Sequence, residues 1–469
     1  MDKKATSANG MVASDDPANV KLSVWEKTAY SFTDMAGNLL YVTISSYILY
    51  FYTDVFGISA AGAGAILLVA RIFDAISAPV WGSIVDHTHT KWGQSRPYFL
   101  WLAIPFAIAT FLAFTAPQIH GTFKLVYAGF TYILAAGVVY TGIQTPITAI
   151  LPSLTTNGQE RINANSFRMV GGALGSFITS TFALPLVTFM GKGDDKVGFM
   201  WTMSIFGVMA IILLVLSFKG MKERTIAVQK PIPFKDSLKA TVGNHPWFIL
   251  VVSFVIYWVA QSTRNGISVY YAKYNLGNEQ LTSVFNGLQV LGIIATIMIP
   301  LVVRVTNKTM TMIIGLAIGA AGQIMMGLVG NNFTLVIIAW IIGIFGASIA
   351  VAMPFSMLAD TVDFGEWKSG IRAPGFLTAV GSAFCIQLGS GFGAYIPSTI
   401  MSAAGFVANK TQTPQALSAI HFTFIYFPVI IYAIVAAIMC FYFKYEKMET
   451  QIKADLAERH AKEAAGEEV

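Results

Sequence analysis

The chain has 469 residues, of which 55% are hydrophobic and only 12% are charged. Soluble domains carry about 25% charged residues, so this composition excludes an ordinary soluble domain and predicts a membrane protein. The net charge of +6 does not indicate a nucleic-acid partner, because the basic residues lie in short loops between apolar runs and there report membrane orientation.

The first segment, residues 1–22, reads MDKKATSANGMVASDDPANVKL and contains no apolar stretch of the kind found in signal peptides. We therefore expect a cytosolic tail that is not cleaved. The two cysteines, Cys385 and Cys440, both lie inside apolar runs, so neither a disulfide framework nor a thiolate metal site is expected.

Twelve apolar runs reach the length of about 20 residues that a membrane-spanning helix needs. The predicted spans are 24–52, 58–85, 98–117, 123–152, 166–190, 198–218, 246–274, 281–303, 309–329, 333–358, 373–403 and 416–443. Lys and Arg are concentrated in the loops that follow even-numbered spans, for example in KGMKERTIAVQK, residues 219–230. Because cytoplasmic loops are enriched in these residues, both termini are expected in the cytoplasm.

The longest loop between spans divides the twelve spans into two sets of six. LPSLTTNGQER (151–161) and LADTVDFGEWK (358–368) each follow the fourth span of their half and share leucine, glycine and a final base. The predicted organisation is a cytoplasmic N-terminal tail (1–22), an N-terminal six-helix bundle (23–218), a cytoplasmic central loop (219–245), a C-terminal six-helix bundle (246–443) and a cytoplasmic C-terminal tail (444–469). Two bundles of this kind are typical of alternating-access transporters, whose substrates bind near the membrane midplane.

Span 2 contains two charges in the run LLVARIFDAISAPVWG, residues 67–82. Asp74 lies roughly 24 Å along the helix at 1.5 Å per residue, where a charge costs at least about 2.5–3.5 kcal/mol. Arg71 precedes it by three residues and shares its helix face. Two interpretations stay open: a local pair that only steadies the helix, or a carboxylate that binds a proton or cation in a cavity. We favour the second.

Span 1 carries a polar stripe in which Tyr30, Asp34 and Asn38 are spaced four residues apart and Tyr41 continues the same face. Carboxylate, amide and phenol groups together match the hydroxyl groups of a sugar. The alternative is a polar stripe that only joins helices.

Five further polar residues are candidates for substrate binding. Gln144 and Thr148 lie in the span 4 segment YTGIQTPITAILP, where hydroxyls and proline-freed carbonyls belong against a cavity rather than lipid. Arg168 in span 5 is a further candidate. The alternative is that it only anchors the helix at the cytoplasmic side. Arg264 in span 7 and Gln387 in span 11 complete the set. The glycines around Gln387 favour tight helix packing over a phosphate site, since no strand precedes them.

No nucleophile elbow, HExxH motif or phosphate-binding loop occurs in the sequence. We therefore expect no enzyme and no cofactor, with co-transported H⁺ or Na⁺ as the only ion that the chain handles.

Three segments carry a family resemblance: YFYTDVFG (50–57), LLVARIFDAISAPVWGSIVDHTHTKWGQSRPY (67–98) and MLADTVDFGEWKSGIR (357–372). They resemble the glycoside–pentoside–hexuronide:cation symporters, the melibiose-permease-like branch of the major facilitator superfamily, over nearly the whole chain. The resemblance implies an all-α integral membrane fold with twelve transmembrane helices in two six-helix bundles around a central cavity. It also implies sugar import by cation symport.

The resemblance assigns functional roles to only some of the candidate residues. Asp74 matches an aspartate of cation coupling and Arg168 matches an arginine on the sugar side. Neutral residues stand where melibiose permease has charged or aromatic ones: Asn38 and Gln144 replace sugar-binding aspartates, Thr148 replaces a stacking tryptophan, Gln387 replaces a coupling lysine, and Ala78 replaces a second coupling carboxylate. Asp34 resembles an aspartate of the glucuronide-transporter branch and is the second candidate for cation coupling.

These replacements predict a neutral cavity and proton coupling. Sodium needs several hard oxygen ligands, whereas a proton needs one carboxylate whose neutral form is favoured by desolvation. We expect import of a neutral glycoside, pentoside or small oligosaccharide with Asp74 as the proton carrier. Three alternatives stay open: a hexuronide carrier in which Arg168 and Arg264 clamp a carboxylate, a sodium-coupled sugar symporter, and a transporter-like receptor or channel.

Charged residues at the cytoplasmic ends of the spans form the predicted gate. They are Asp86 and Arg96 around span 3, and Asp360, Asp363, Glu366 and Arg372 between spans 10 and 11. Opposite charges at these places can latch the two halves; the alternative is a solvated loop, because exposed pairs are individually weak. The predicted location is the plasma membrane, and the charged C-terminal tail, helical or disordered, is too short for a regulatory domain.

Overall fold

The structure is a computed structural model in which residues 20–155, 157–224, 239, 241–330, 332–371 and 374–465 are described. These residues form helices joined by short turns, and within this part of the chain there is no β-sheet. The predicted all-α fold class is confirmed.

Twelve helices follow one another along the described chain, and each overlaps one predicted span. They are α1 (Val24–Tyr50), α2 (Ala60–Asp86), α3 (Ala103–Ala113), α4 (Thr122–Ala149), α5 (Gly158–Gly191), α6 (Asp195–Gly220), α7 (His245–Asn275), α8 (Leu281–Val305), α9 (Lys308–Leu328), α10 (Phe333–Ser369), α11 (Phe376–Ala403) and α12 (Pro414–Cys440). Nine described helices are long and apolar enough to cross a membrane. The apolar helix α3 is shorter. A further helix, α13 (Glu449–Ala465), forms the C-terminal tail.

Local capping, rather than hydrophobicity, decides where several helices begin and end. Ser23 accepts a hydrogen bond from the backbone N–H of Glu26, whose carboxylate accepts one from the backbone N–H of Ser23, so that α1 begins with a capping box. Asn157 caps α5 through Glu160 N–H. Gly370, with a positive φ of 72°, ends α10 in the left-handed conformation that favours glycine.

The predicted end of span 10 at residue 358 is therefore too early. The helix continues to Ser369, because its hydrogen bonding extends past the apolar run until the glycine cap. Asp360, Asp363 and Glu366 lie on the last turns of α10 and not in a loop, which corrects the sequence-based assignment. Arg372 and the side chain of Asp86 lie outside what the structure describes.

The helices pack as two groups of six, and three helix pairs provide most of the contact between the groups. In the first group α1 packs against α5 and α6, and in the second α9 packs against α10 and α7 against α11. Between the groups α2 packs on α11, α1 on α7, and α5 on α8. We call the end of the bundle where the described chain ends lie, at Val20 and Ala465, the tail end. The opposite end, which we call the far end, contains the turns at Gly57, Gly193, Gly277 and Gly405.

Close packing between α7 and α11 depends on glycine. A Cβ atom at Gly389 would lie 2.5 Å from the carbonyl oxygen of Val255, and one at Gly393 would lie 2.5 Å from that of Val259. Both distances are shorter than a real carbon–oxygen contact, so only glycine allows the two backbones to approach this closely. These glycines of span 11 therefore serve helix packing.

Helix α2 separates its polar and apolar faces. Arg71 and Asp74 are only 6% and 3% exposed, whereas Val69, Ile72 and Ile76 on the opposite face are largely exposed. An apolar outer face is expected of a helix that borders lipid. The two charges in span 2 therefore face the interior of the bundle.

Candidate functional site

A central cavity of about 390 Å³ lies between the two helix groups. Its polar lining residues are Asn38, Tyr41, Ser45, Ser46, Arg71, Ser176, Ser180, Gln261, Ser262, Asn265, Asn286, Gln289 and Ser390. Amides and hydroxyls, which both donate and accept hydrogen bonds, dominate this set, and aromatic and aliphatic side chains fill the rest of the wall. The lining therefore suits a polar, largely uncharged ligand.

Two of the predicted sugar-binding residues, Asn38 and Tyr41, line this cavity from α1. Asn38 Nδ2 donates to the carbonyl oxygen of Asp34 at 2.8 Å, and Asn38 Oδ1 accepts from Ser176 Oγ at 3.2 Å. The Tyr41 ring stacks on Tyr140 with centroids 5.1 Å apart. Both side chains are thus held in place before any ligand binds.

Asp74 lies directly behind the cavity wall, where Arg71 forms the lining. Asp74 Oδ1 accepts a hydrogen bond from Thr141 Oγ1, and Asp74 Oδ2 lies 3.8 Å from Arg71 Nη1. Oδ2 accepts no hydrogen bond from any described residue. Arg71 Nη1 donates to Gln387 Oε1 at 2.7 Å, so this group joins α2 of the first set to α11 of the second.

Asp34 and Arg168 form a second charged pair, between α1 and α5. Arg168 Nη1 lies 3.5 Å from Asp34 Oδ2, and Arg168 Nε donates to Asn165 Oδ1 at 3.1 Å. Gly172 makes room for the pair, since a Cβ there would lie 2.8 Å from Asp34 Oδ2. Each charge is already compensated by the other.

Gln144 and Thr148 are not among the described residues that line the cavity. Gln144 is half-buried near Gly37, and Thr148 is exposed and donates back to the carbonyl oxygen of Thr145 at 2.9 Å. Helix α4 therefore presents neither side chain to the central cavity.

Arg264 lies in a separate side pocket of about 200 Å³ and is only 3% exposed. Its guanidinium stacks over the Trp340 ring at 4.5 Å, and Nη1 donates to Tyr432 OH at 3.3 Å. Arg168 lines neither space. The structure therefore does not bring Arg168 and Arg264 together as the carboxylate clamp considered above.

Several lining residues were missed by sequence reasoning. Ser176 and Ser180 on α5, and Asn286 and Gln289 on α8, all face the central cavity. Asn286 Nδ2 donates to Tyr47 OH at 3.3 Å, and Gln289 Nε2 donates to Asn286 Oδ1 at 3.2 Å. The sequence does contain a signal for Asn286 and Gln289, because these two amides, three residues apart, interrupt the apolar run of span 8.

Two of the predicted gating residues, Arg96 and Asp360, bind partners in their own helix group. Arg96 Nε donates to the carbonyl oxygen of Phe218 at 2.6 Å, and its backbone N–H donates to Glu223. Asp360 Oδ2 accepts from Lys308 Nζ at 2.6 Å. Their proposed role as a latch between the halves stays a prediction.

Asp363 and Glu366 lie one and two helical turns further along α10 than Asp360. Glu366 is buried, and its carbonyl oxygen accepts from Arg459 Nη1 of α13 at 3.3 Å. Here the C-terminal tail covers the end of α10.

At the far end a buried cluster joins the two groups. Asp54 accepts hydrogen bonds from Tyr274 OH and from Lys273 Nζ, the latter at 3.0 Å. Lys273 Nζ also donates to Tyr50 OH at 3.0 Å and to Asn409 Oδ1 at 2.9 Å. Asp54 therefore lies in a contact between the two helix groups.

Comparison with known proteins supports this reading of the fold. The family description "MFS/sugar transport protein" matches residues 29–447. The isoprimeverose transporter of Lactiplantibacillus pentosus is 42% identical over 446 residues, covering 94% of this chain and 92% of that protein. A putative glycoside/cation symporter of Escherichia coli (strain K12) is 31% identical over 420 residues, covering 88% and 90%.

Solved structures show the same fold at low sequence identity. A bacterial homologue of the human lysosomal transporter Spinster superposes with a TM-score of 0.67 at 12% identity, covering 92% of this chain and 97% of that chain. The nucleoside transporter NupG superposes with a TM-score of 0.66 at 12% identity, covering 90% and 100%. Both superpositions support the fold described above.

The family match spans most of the chain, and the helix arrangement and polar central cavity agree with it. The expectation of cation-coupled sugar symport is confirmed at that level, and the sugar and the ion are left to proposal. The chain belongs to the MFS/sugar transport family, within the glycoside–pentoside–hexuronide:cation symporters.

Proposed function

We propose that the chain imports a neutral glycoside, pentoside or small oligosaccharide together with a proton, with Asp74 as the proton carrier. A disaccharide such as isoprimeverose is the substrate that we favour, because the 42% identical relative is named for its transport. We further propose that the chain lies in the plasma membrane with both termini in the cytoplasm, as the distribution of Lys and Arg indicates.

The single observation that carries the proposal is the environment of Asp74. One carboxylate oxygen accepts from Thr141, while the other is buried and accepts no hydrogen bond from a described residue. A buried acceptor without a partner costs free energy, and a proton on Oδ2 would remove the charge that makes this burial costly. Asp74 is thus suited to alternate between an ionised and a neutral form.

Protonation of Asp74 would also change a contact with the other helix group. Arg71 is attracted by Asp74 and donates to Gln387 of α11. When Asp74 is neutral, that attraction weakens, and the hydrogen bond between α2 and α11 changes in strength. This connection offers a physical route from proton binding to movement of the two groups, which is what symport requires.

Proton coupling is favoured over sodium coupling by the same geometry. Sodium binds where several oxygen atoms converge, whereas here one carboxylate oxygen is taken by Thr141 and the other faces the cation of Arg71. A second cation beside Arg71 would be repelled. Asp34, the other candidate carboxylate, is already paired with Arg168 at 3.5 Å, so we assign it the secondary role.

Uptake into proteoliposomes tests the proposal, with pH and sodium gradients imposed separately. We expect the wild type to accumulate labelled isoprimeverose when the outside is acidic. Asp74→Asn should abolish this accumulation while sparing exchange, because asparagine retains the shape but cannot release a proton. Asp195→Asn at the start of α6 is the matched control and should behave as wild type. Uptake that responds to sodium and not to pH would contradict the proposal.

The hexuronide alternative has one observation in its favour, the buried positive charge of Arg264. Competition separates the two candidates: glucuronides that block uptake better than neutral glycosides would replace our first choice. We expect neutral glycosides to compete better, because Arg168 is already neutralised by Asp34.

A further inference from the structure

The side pocket beside the central cavity holds three buried polar atoms that have no partner among the described residues. They are Trp258 Nε1, Gln261 Oε1 and Arg264 Nε. All three residues line the pocket, whose other polar and aromatic lining includes Tyr257, Asn265, Gln289, Trp340 and Ser348. Buried polar atoms in native proteins are nearly always satisfied by protein or water, so these atoms indicate a place that a polar molecule occupies.

Of these three residues, Arg264 has the greatest need of hydrogen-bond acceptors, because its buried side chain is charged. Its guanidinium has no carboxylate within ion-pair distance among the described residues, and its contacts are the Trp340 ring and the weak hydrogen bond to Tyr432 OH. A cation–π contact replaces only part of the hydration that a buried cation loses. Arg264 therefore requires oxygen acceptors from a molecule in the pocket.

The mixture of unpaired groups specifies the kind of molecule. Arg264 and Trp258 offer hydrogens, whereas Gln261 Oε1 offers an acceptor. A carboxylate group only accepts, so Gln261 Oε1 requires a hydroxyl whether or not the sugar also carries a carboxylate. A sugar hydroxyl both accepts and donates, so adjacent hydroxyls of one ring can satisfy all three atoms.

The pocket adjoins the central cavity. Trp258, Gln261, Asn265 and Gln289 line both spaces. The pocket, of about 200 Å³, extends the central cavity of about 390 Å³. A substrate of two rings can therefore place one ring in each space.

A change in helix geometry occurs at the same place. Helix α8 tightens into a 3₁₀ turn at Gln289–Leu291, between Leu281–Leu288 and Gly292–Val305. A 3₁₀ stretch in the middle of a helix often marks a functional hinge. Here it places the Gln289 side chain at the boundary between the two spaces.

We propose that the side pocket is the subsite for the second ring of a disaccharide, with Arg264, Trp258 and Gln261 binding its hydroxyls while the central cavity holds the first ring. This inference rests on the proposed function, since it assumes that a neutral sugar is the substrate. It adds that Arg264 determines the length of the substrate rather than recognising a charge.

Equilibrium binding to the purified protein tests this subsite, with isoprimeverose and with its component monosaccharides xylose and glucose as probes. Arg264→Gln should weaken isoprimeverose binding by roughly tenfold more than it weakens binding of either monosaccharide. Trp258→Phe, which removes the indole N–H and leaves a single, smaller aromatic ring, should show the same selective loss if Arg264→Gln fails to fold. Arg304→Gln, at the exposed end of α8, is the matched control and should leave the ratio of affinities unchanged.

The possible outcomes separate this inference from the function on which it rests. If the wild type binds both sizes of sugar and the variants weaken them equally or not at all, the subsite is refuted while neutral sugar transport stands. If the wild type binds only sugars that carry a carboxylate, and Arg264→Gln abolishes that binding, the pocket recognises charge and the inference is overturned. If the wild type binds no sugar, the proposed function itself fails.

Discussion

The guanidinium of Arg71 interacts with groups from three helices. Its guanidinium lies 3.8 Å from Asp74, donates to Gln387 at 2.7 Å and lies 5.6 Å from the centre of the Tyr41 ring. A planar guanidinium with five N–H groups can hold several partners at once. At the scale of single residues, Arg71 is thus the point where the proposed proton site, the cavity wall and the second helix group meet.

Glu160 anchors the N-terminal segment at the tail end. Its carboxylate accepts from the backbone N–H of Leu22 at 3.1 Å and lies 2.7 Å from Lys27 Nζ. The hydrogen bond from Lys27, followed by that from Leu22, holds the pKa of Glu160 below its ordinary value of 4.5, against the effect of burial. The ionised form of Glu160 therefore stabilises the contact between the N-terminal segment and α5.

The pH dependence of stability should report this anchor. Because the folded pKa of Glu160 is depressed, its contribution is fully present above pH 4.5 and is lost as pH falls through the folded value. Glu160→Gln should lower the free energy of unfolding by roughly 1–3 kcal/mol near neutral pH. Thermal unfolding in detergent between pH 3 and 7 checks this: the variant should lose less stability on acidification than the wild type, and equal losses would contradict the assignment.

At the scale of helices, the far-end cluster links α1 to α7 through charges. Asp54, Lys273 and Tyr274 are joined by hydrogen bonds, and Asn409 Nδ2 donates to the carbonyl oxygen of Asp54. The Asp54 side chain is almost completely buried. Since a buried ion pair becomes costly when one partner is removed, this cluster is suited to hold the far end closed and to release it as a unit.

Lys273→Met should shift the protein toward a state that is open at the far end. The methionine keeps the length of the side chain but leaves Asp54 buried without its cation, which costs about 3–5 kcal/mol. Ser45→Cys, a lining position of the central cavity, reports the change through its reaction with a maleimide that does not cross membranes, added from outside in a background without Cys385 and Cys440.

We expect the labelling rate to rise several-fold in Lys273→Met. Lys410→Met, at an exposed lysine of the neighbouring turn, is the matched control and should label as the parent does. An unchanged rate in Lys273→Met would mean that the cluster supports the fold without closing the cavity.

At the scale of the whole molecule, α13 closes over the tail end of the second helix group. Ile452 and Leu456 pack with Phe364 in a small apolar cluster. Around it Lys308 Nζ donates to Glu449 and Trp367 Nε1 donates to Asp455. Although burial raises the pKa of Glu449, the hydrogen bonds from Lys453 and Lys308 outweigh it and hold the pKa below its usual value. The charged tail is thus helical and docked.

Docking of α13 should contribute measurably to stability. Ile452→Asp together with Leu456→Asp should lower the free energy of unfolding by about 3 kcal/mol or more, because each apolar side chain contributes about 1.5–3 kcal/mol when buried. Ala454→Asp, at an exposed position of the same helix, controls for the added charge. Faster proteolysis of the tail in the double variant alone would support docking, and equal cleavage of all three proteins would refute it.

Much of the fold could be predicted because hydrophobic length is a local property of the chain. Each predicted span overlaps a helix, and the main error, at the end of span 10, arose because Gly370 and not the apolar run ends that helix. The site was less predictable. Asn38 and Tyr41 line the cavity as expected, whereas Gln144, Thr148 and Arg168 do not, and the amides of α8 were missed.

The sequence by itself determined the helical membrane fold, the approximate position of each helix and the symporter family, since these depend on composition, apolar length and contiguous motifs. Only the tertiary structure decided which polar side chains share one space: Arg71 with Gln387, and Arg264 with Trp258 in a pocket of its own. The physical reason is that the rotation of each helix is set by packing against helices far away in the chain, and a rotation of one residue position turns a side chain from a cavity to a neighbour or to lipid.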